Sequence, residues 1–126
     1  MLSVVIPGPP VAKQRARVGK GGRVYTPPET RSYEQKVAFI AGHEARKAKW
    51  KLTDQPVEID VRIYRARATG DLSNFVKAIE DGMNGIIYVD DRQIVSIDAA
   101  MFLDRKNPRT EVKVRLASEL KETGTY

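Results

Sequence analysis

Cysteine is absent from this chain of 126 residues, which excludes disulfides and thiolate metal sites. Histidine occurs once, as His43. One histidine cannot build a multi-histidine zinc centre, and it makes a serine–histidine triad hard to assemble. No apolar run approaches the ~20 residues that span a bilayer, and no signal peptide is visible. Acidic residues are missing from 2 to 28, where Lys13, Arg15, Arg17, Lys20 and Arg23 all fall. Together these absences point to a reducing compartment and to a partner that is neither a membrane nor a soft metal.

What is present is charge, unevenly spread. The net charge is +6. Residues 1–50 carry ten Lys/Arg against three Asp/Glu, whereas residues 51–126 carry twelve against thirteen. The basic half suits a polyanion such as nucleic acid, and the acidic residues gather elsewhere.

The informative stretch is 70–93, GDLSNFVKAIEDGMNGIIYVDDRQ. Leu72, Phe75, Val76, Ile79 and Met83 recur at helical spacing. Asp71 reads as the N-cap, and Asn84-Gly85 as the stop. Residues 86–89 are apolar and strand-forming, and end in Asp90 and Asp91. A helix over 72–83 is roughly 18 Å long. An extended return over 84–89 covers about 20 Å. Reversal at Gly85 therefore carries Asp90 and Asp91 back toward Asp71. Lys77 lies on the same face as Ser73 and Asn74. Carboxylates beside a lysine suit a hard cation and a phosphate.

Elsewhere, 2–6 reads as a buried strand ended by prolines. The basic arm from Lys13 folds around Gly19, Gly21 and Gly22 as a hairpin. Thr26, Pro27 and Glu29 read as the cap, first residue and capping box of a helix running to about Lys49. Its apolar stripe is Tyr33, Val37, Ile40, Ala41, Ala45 and Ala48, with Trp50 closing the core. Alternation predicts strands over 57–63, 94–103 and 111–116, the last with Val112, Val114 and Leu116 inward. Arg65 and Arg67 run directly into the Asp71 site. The order of elements gives an α+β fold, a single domain over 1–116 with a mixed β-sheet covered by two helices, and 117–126 as a loosely held tail.

Three segments resemble one family. The start (IPGPPVAKQRARV, then GRVYTPPETRSYEQKV), the centre (GDLSNFVKAIEDGMNGIIYVDDRQIV) and the end (NPRTEVKV) are similar to RusA-type Holliday junction resolvases. The resemblance implies a homodimeric, Mg²⁺-dependent endodeoxyribonuclease, with Mn²⁺ as a possible substitute, acting on four-way branched DNA by paired symmetric cuts. It implies the cytoplasm of a bacterial or phage-infected cell. It places the metal on Asp71 and Asp91 with Asp90 close by, and catalysis on Lys77 with Asp71 and Asp91. Asn74 corresponds to the family's helix Asn, and joins Lys13, Arg15, Arg17, Lys20, Arg23, Arg65 and Arg67 as a DNA-binding residue. Asp81 reads as structural, orienting Lys77 or capping nearby backbone. The family pattern is Asp-x-Asp-Asn, and here Ser73 replaces the second carboxylate. The competing expectations are a catalytically weakened branched-DNA-binding module, or a nuclease acting on other DNA structures.

Overall fold

The computed structural model describes residues 1–117. The tail predicted from 117 onward lies, beyond Ala117, outside those described residues. The chain runs β1 (Leu2–Pro7), β2 (Arg17–Val18), β3 (Val24–Tyr25), α1 (Pro28–Ala48), β4 (Val57–Arg65), α2 (Leu72–Met83), β5 (Ile94–Leu103) and β6 (Arg109–Leu116). Four strands form one sheet in the order β1-β6-β4-β5. β6 pairs antiparallel with both β1 and β4, and β4 pairs parallel with β5. The sheet is therefore mixed, and α2 is the crossover that the parallel pair requires. β2 and β3 form the small hairpin predicted for the basic arm.

Register explains the core. Leu2 sits opposite Val114 and Val4 opposite Val112. Val114 and Val112 in turn face Ile59 and Val61. Side chains alternate along a strand, so these residues share one face. All are buried, and they pack with Tyr33, Val37, Ala41 and Ala45 of α1 and with Val76, Ile79 and Met83 of α2. Burial of each such Val, Ile or Leu stabilises the fold by roughly 1.5–3 kcal/mol.

Four expectations need correction. Thr26 does not cap α1; the helix begins at Pro28, and Pro27 at the cap position is extended (φ −54°, ψ 142°). A residue before proline is disfavoured in helical conformation, so Pro28 forces the start one residue later. Asp71 occupies the N-cap of α2, but its side chain makes no capping hydrogen bond. Leu116, the last residue of its strand, is exposed. The run 86–89 is not a strand. Gly85 takes φ +76°, and the amides of Ile86 and Ile87 both donate to the Met83 carbonyl at 3.0 Å. The chain coils there instead of extending. Ile87 and Tyr88 go into the core, with Tyr88 bridging to Thr53.

Candidate active site

α2 turns Phe75, Val76, Ala78, Ile79, Gly82 and Met83 inward. Ser73, Asn74 and Lys77 are exposed on its other side, with Asp81 half-buried beside them. Lys77 and Asp81 are four apart, and their Nζ–Oδ1 distance is 3.3 Å. The coiled loop after α2 brings Asp91 to the same point, where its Oδ2 lies 2.7 Å from Lys77 Nζ. Asp91 thus meets the helix at Lys77 and Asp81.

A short 3-10 turn, Asp91–Gln93, holds Asp91 in place. The Asp90 carboxylate accepts from the Arg92 amide at 2.9 Å, and Gln93 Oε1 accepts from the Asp90 amide at 2.8 Å. Gln93 Nε2 donates to the Thr53 and Gln55 carbonyls at 2.9 and 2.8 Å. Its amide therefore ties the turn to the connector before β4. Asp90 is occupied in the cap and in an ion pair with Arg92 at 3.2 Å. The Arg92 backbone N–H holds its pKa below the usual carboxylate range.

A second lysine enters from the arm. Lys13 Nζ lies 2.6 Å from Glu34 and 3.1 Å from Asp81, and its amide donates to the Asn74 carbonyl at 2.8 Å. Asp81 therefore sits between two ammonium groups, and the root of the arm is fastened to both helices. Lys13 is thereby set apart from Arg15, Arg17, Lys20 and Arg23, which are exposed and have no carboxylate partner among the described residues.

The electrostatics follow. The hydrogen bond to Asp91, opposed by burial and aided by Asp81, raises the Lys77 pKa. Its side chain keeps 47% exposure, so a phosphate can reach it. Burial, against the pull of Lys77 and with the help of Asp91 and Asp81, raises the Glu80 pKa. Glu80, Asp81 and Asp91 thus act on one neighbourhood with Lys77 among them.

Asp71 stands at the start of α2, exposed, with Oδ2 3.5 Å from Asn74 Nδ2. No hydrogen bond or ion pair joins it to Asp91 among the described residues. Nor do any three His, Cys, Asp or Glu side chains among them group around one possible ion position. Arg65 and Arg67 lie at the end of β4, where Arg65 donates to the Thr69 carbonyl at 3.3 Å.

Sequence reasoning did not single out Glu80 or Glu34. The i,i+4 spacing signals Lys77–Asp81. Nothing local signals Glu34, which lies 21 residues from Lys13.

The chain is 27% identical over 142 residues to a protein of Bacillus subtilis (strain 168) named "Uncharacterized protein YqaN", covering 93% of this chain and 97% of that protein. The family profile "Endodeoxyribonuclease RusA" matches residues 7–115. With a basic arm and an acidic, lysine-bearing helix in that matched span, the chain belongs to the RusA family of endodeoxyribonucleases, whose members resolve Holliday junctions.

Proposed function

We propose that the chain is a divalent-metal-dependent endonuclease that binds four-way DNA junctions and resolves them by paired, symmetric phosphodiester hydrolysis. One observation carries the reading. Lys77 is held between Asp91 and Asp81 on the solvent side of α2, at 2.7 and 3.3 Å. A phosphate oxygen arriving there meets a positive charge already fixed in place. Charge developing in the transition state is then stabilised with little reorganisation.

Its raised pKa keeps Lys77 an ammonium ion. Paired with two carboxylates, it acts in this reading as an electrostatic group. When bound, a divalent ion activates water by lowering the pKa of the coordinated molecule. Asp71, Asp90 and Asp91 would be the donors to such an ion. Asp71 and Asp91 present hard carboxylate oxygens, and Asp90 adjoins Asp91. Mg²⁺ commonly takes one or two carboxylates and completes its shell with water and substrate oxygens, so a closed protein cage is not required. Mg²⁺ is the proposed ion, with Mn²⁺ as a substitute. Ser73 adds no charge, which weakens the hold.

Arg15, Arg17, Lys20 and Arg23 supply phosphate contacts from the arm, Arg65 and Arg67 from the end of β4, and Asn74 from α2. Lys13 anchors the arm's root. Two symmetric cuts need two sites, so the working unit is a homodimer. The setting is the cytoplasm of a bacterial or phage-infected cell.

The test is Mg²⁺-titrated cleavage of a synthetic four-way junction. Asp91→Asn should lower the rate roughly 100-fold or more while junction binding persists. Undiminished cutting by both Asp91→Asn and Asp71→Asn would reject the reading. The second reading, a branched-DNA-binding module, is favoured by Ser73. It is supported instead if junction is retained and no product forms at any Mg²⁺ or Mn²⁺ concentration. Competition by linear duplex distinguishes a nuclease acting on other DNA structures.

A further inference from the structure

A cleft of about 330 Å³ opens where the end of β1 meets the end of β4 and the first turn of α2. Pro9 and Pro10 form one side of it, Arg65, Arg67 and Thr69 line another, and Phe75 contributes its ring. Thr69 and Phe75 bracket Asp71 in the chain, so the cleft adjoins the proposed reaction site without being part of it.

Two features show that the cleft is built. Gly70 takes φ +93°, and a Cβ there would lie 2.6 Å from two carbons of the Phe75 ring. Glycine is what lets the loop cross that ring so closely. The second feature is Arg65. One terminal nitrogen donates to the Thr69 carbonyl at 3.3 Å, but its Nε is buried with no hydrogen-bond partner. A buried donor without an acceptor is unfavourable and is relieved by any ligand oxygen that reaches it.

We propose that this cleft takes one unpaired nucleotide of the strand to be cut, its base against Pro9 and Pro10 and its phosphate or base edge on Arg65 and Arg67. Flat apolar walls accept the face of any base, which is how single-stranded nucleic acid is held without sequence readout. Arg65 and Arg67 supply the donors. A base within continuous duplex is stacked and paired, and extracting it is costly; a base at a branch point is already freed in part. Backbone charge alone binds linear and branched DNA alike. The cleft would therefore supply the preference for branched DNA that the exposed arm cannot. The proposal rests on the DNA-cleaving reading of the α2 site.

The test uses the full chain carrying Asp91→Asn, bound to four-way junctions with 2-aminopurine placed at successive positions around the branch. Junction retention is followed separately by gel mobility. Emission should change at least twofold at one nucleotide position and stay flat in the arms. In the otherwise native chain, Thr69→Trp, which fills the cleft from an exposed position, should cut the junction-over-duplex preference at least tenfold. Duplex affinity and melting temperature should hold, and Thr69→Ser should behave as native. Retained junction with flat emission at every position overturns this proposal alone. So does a Thr69→Trp chain with native preference. Failure to retain any junction overturns the functional reading, and this proposal with it.

Discussion

Asp81 receives Lys77 at 3.3 Å and Lys13 at 3.1 Å. Each lysine has a second carboxylate, Asp91 for Lys77 and Glu34 for Lys13. Replacing Asp81 by Asn leaves each ammonium with one anchor. Asp81 touches neither phosphate nor water in this reading, so it positions and does not react. Asp81→Asn should lower the single-turnover rate roughly 10- to 100-fold, as loss of an orienting partner does. Junction affinity should stay nearly native, and Asp81→Glu should recover part of the rate. Equal losses in affinity and rate would show that Asp81 merely supports the fold. Glu80 acts in the opposite sense. Burial first, then Asp91 and Asp81, raises its pKa, so its deprotonated form weakens the folded state as pH rises above the ordinary carboxylate range.

α1 and α2 meet at Gly82. A Cβ there would lie 2.7 Å from Val37 Cβ and Cγ1 and 3.2 Å from the Glu34 carbonyl. Two effects of Gly82→Ala compete. Alanine favours the helix by up to about 1 kcal/mol. Overpacking a filled interface typically costs about 1–3 kcal/mol. The obstructing atoms are a β-branched side chain and backbone, so the second effect should win. Gly82→Ala should be destabilising in urea unfolding, with the m-value unchanged; higher stability would show that the helices separate freely. Since Glu34 lies at that crossing and holds Lys13, the variant should also loosen the arm's root. On the other side of α2, the loop through Tyr88 is held by the Thr53 amide and carbonyl, at 3.3 and 3.1 Å, and the turn after it by Gln93. The site is thus assembled from three elements, none of which holds Lys77, Asp91 and Lys13 alone.

At the scale of the whole molecule, charge and chemistry are separated. In the proposed reading the exposed cations of the β2–β3 hairpin and its approach carry the attraction for a polyanion, while Glu80, Asp81, Asp90 and Asp91 lie on α2 and the turn after it. Neutralising Arg15, Arg17 and Lys20 together should weaken binding of all DNA by a similar factor. The slope of log affinity against log salt should fall by roughly 0.9 for each phosphate that the hairpin no longer neutralises. An unchanged slope would show that the hairpin does not touch phosphate. Cleavage at saturating junction should fall far less than binding, because Lys13, which links the arm to the catalytic face, is retained.

Local pattern alone determined much of this protein. The apolar spacing predicts α2 as Leu72–Met83, the strand after it is expected over Ile94–Leu103, and both form over those residues. Helical and strand periodicity follow from each residue's need to bury or hydrate its own side chain. The mixed sheet under two helices follows from the order of those elements. The loop at 86–89 was not legible, because strand propensity there yields to burial of Ile87 and Tyr88 and to the Met83 carbonyl. That loop decides that Asp91 meets Lys77. Lys13 reads as a phosphate ligand in one dimension, and only the packing of α1 against α2 brings Glu34 and Asp81 to it. Gln93 likewise acquires its role from carbonyls about 40 residues away. Composition and periodicity identify which residues carry charge and which are buried; only the long-range packing decides which charges meet, because no local pattern encodes a distance between remote side chains.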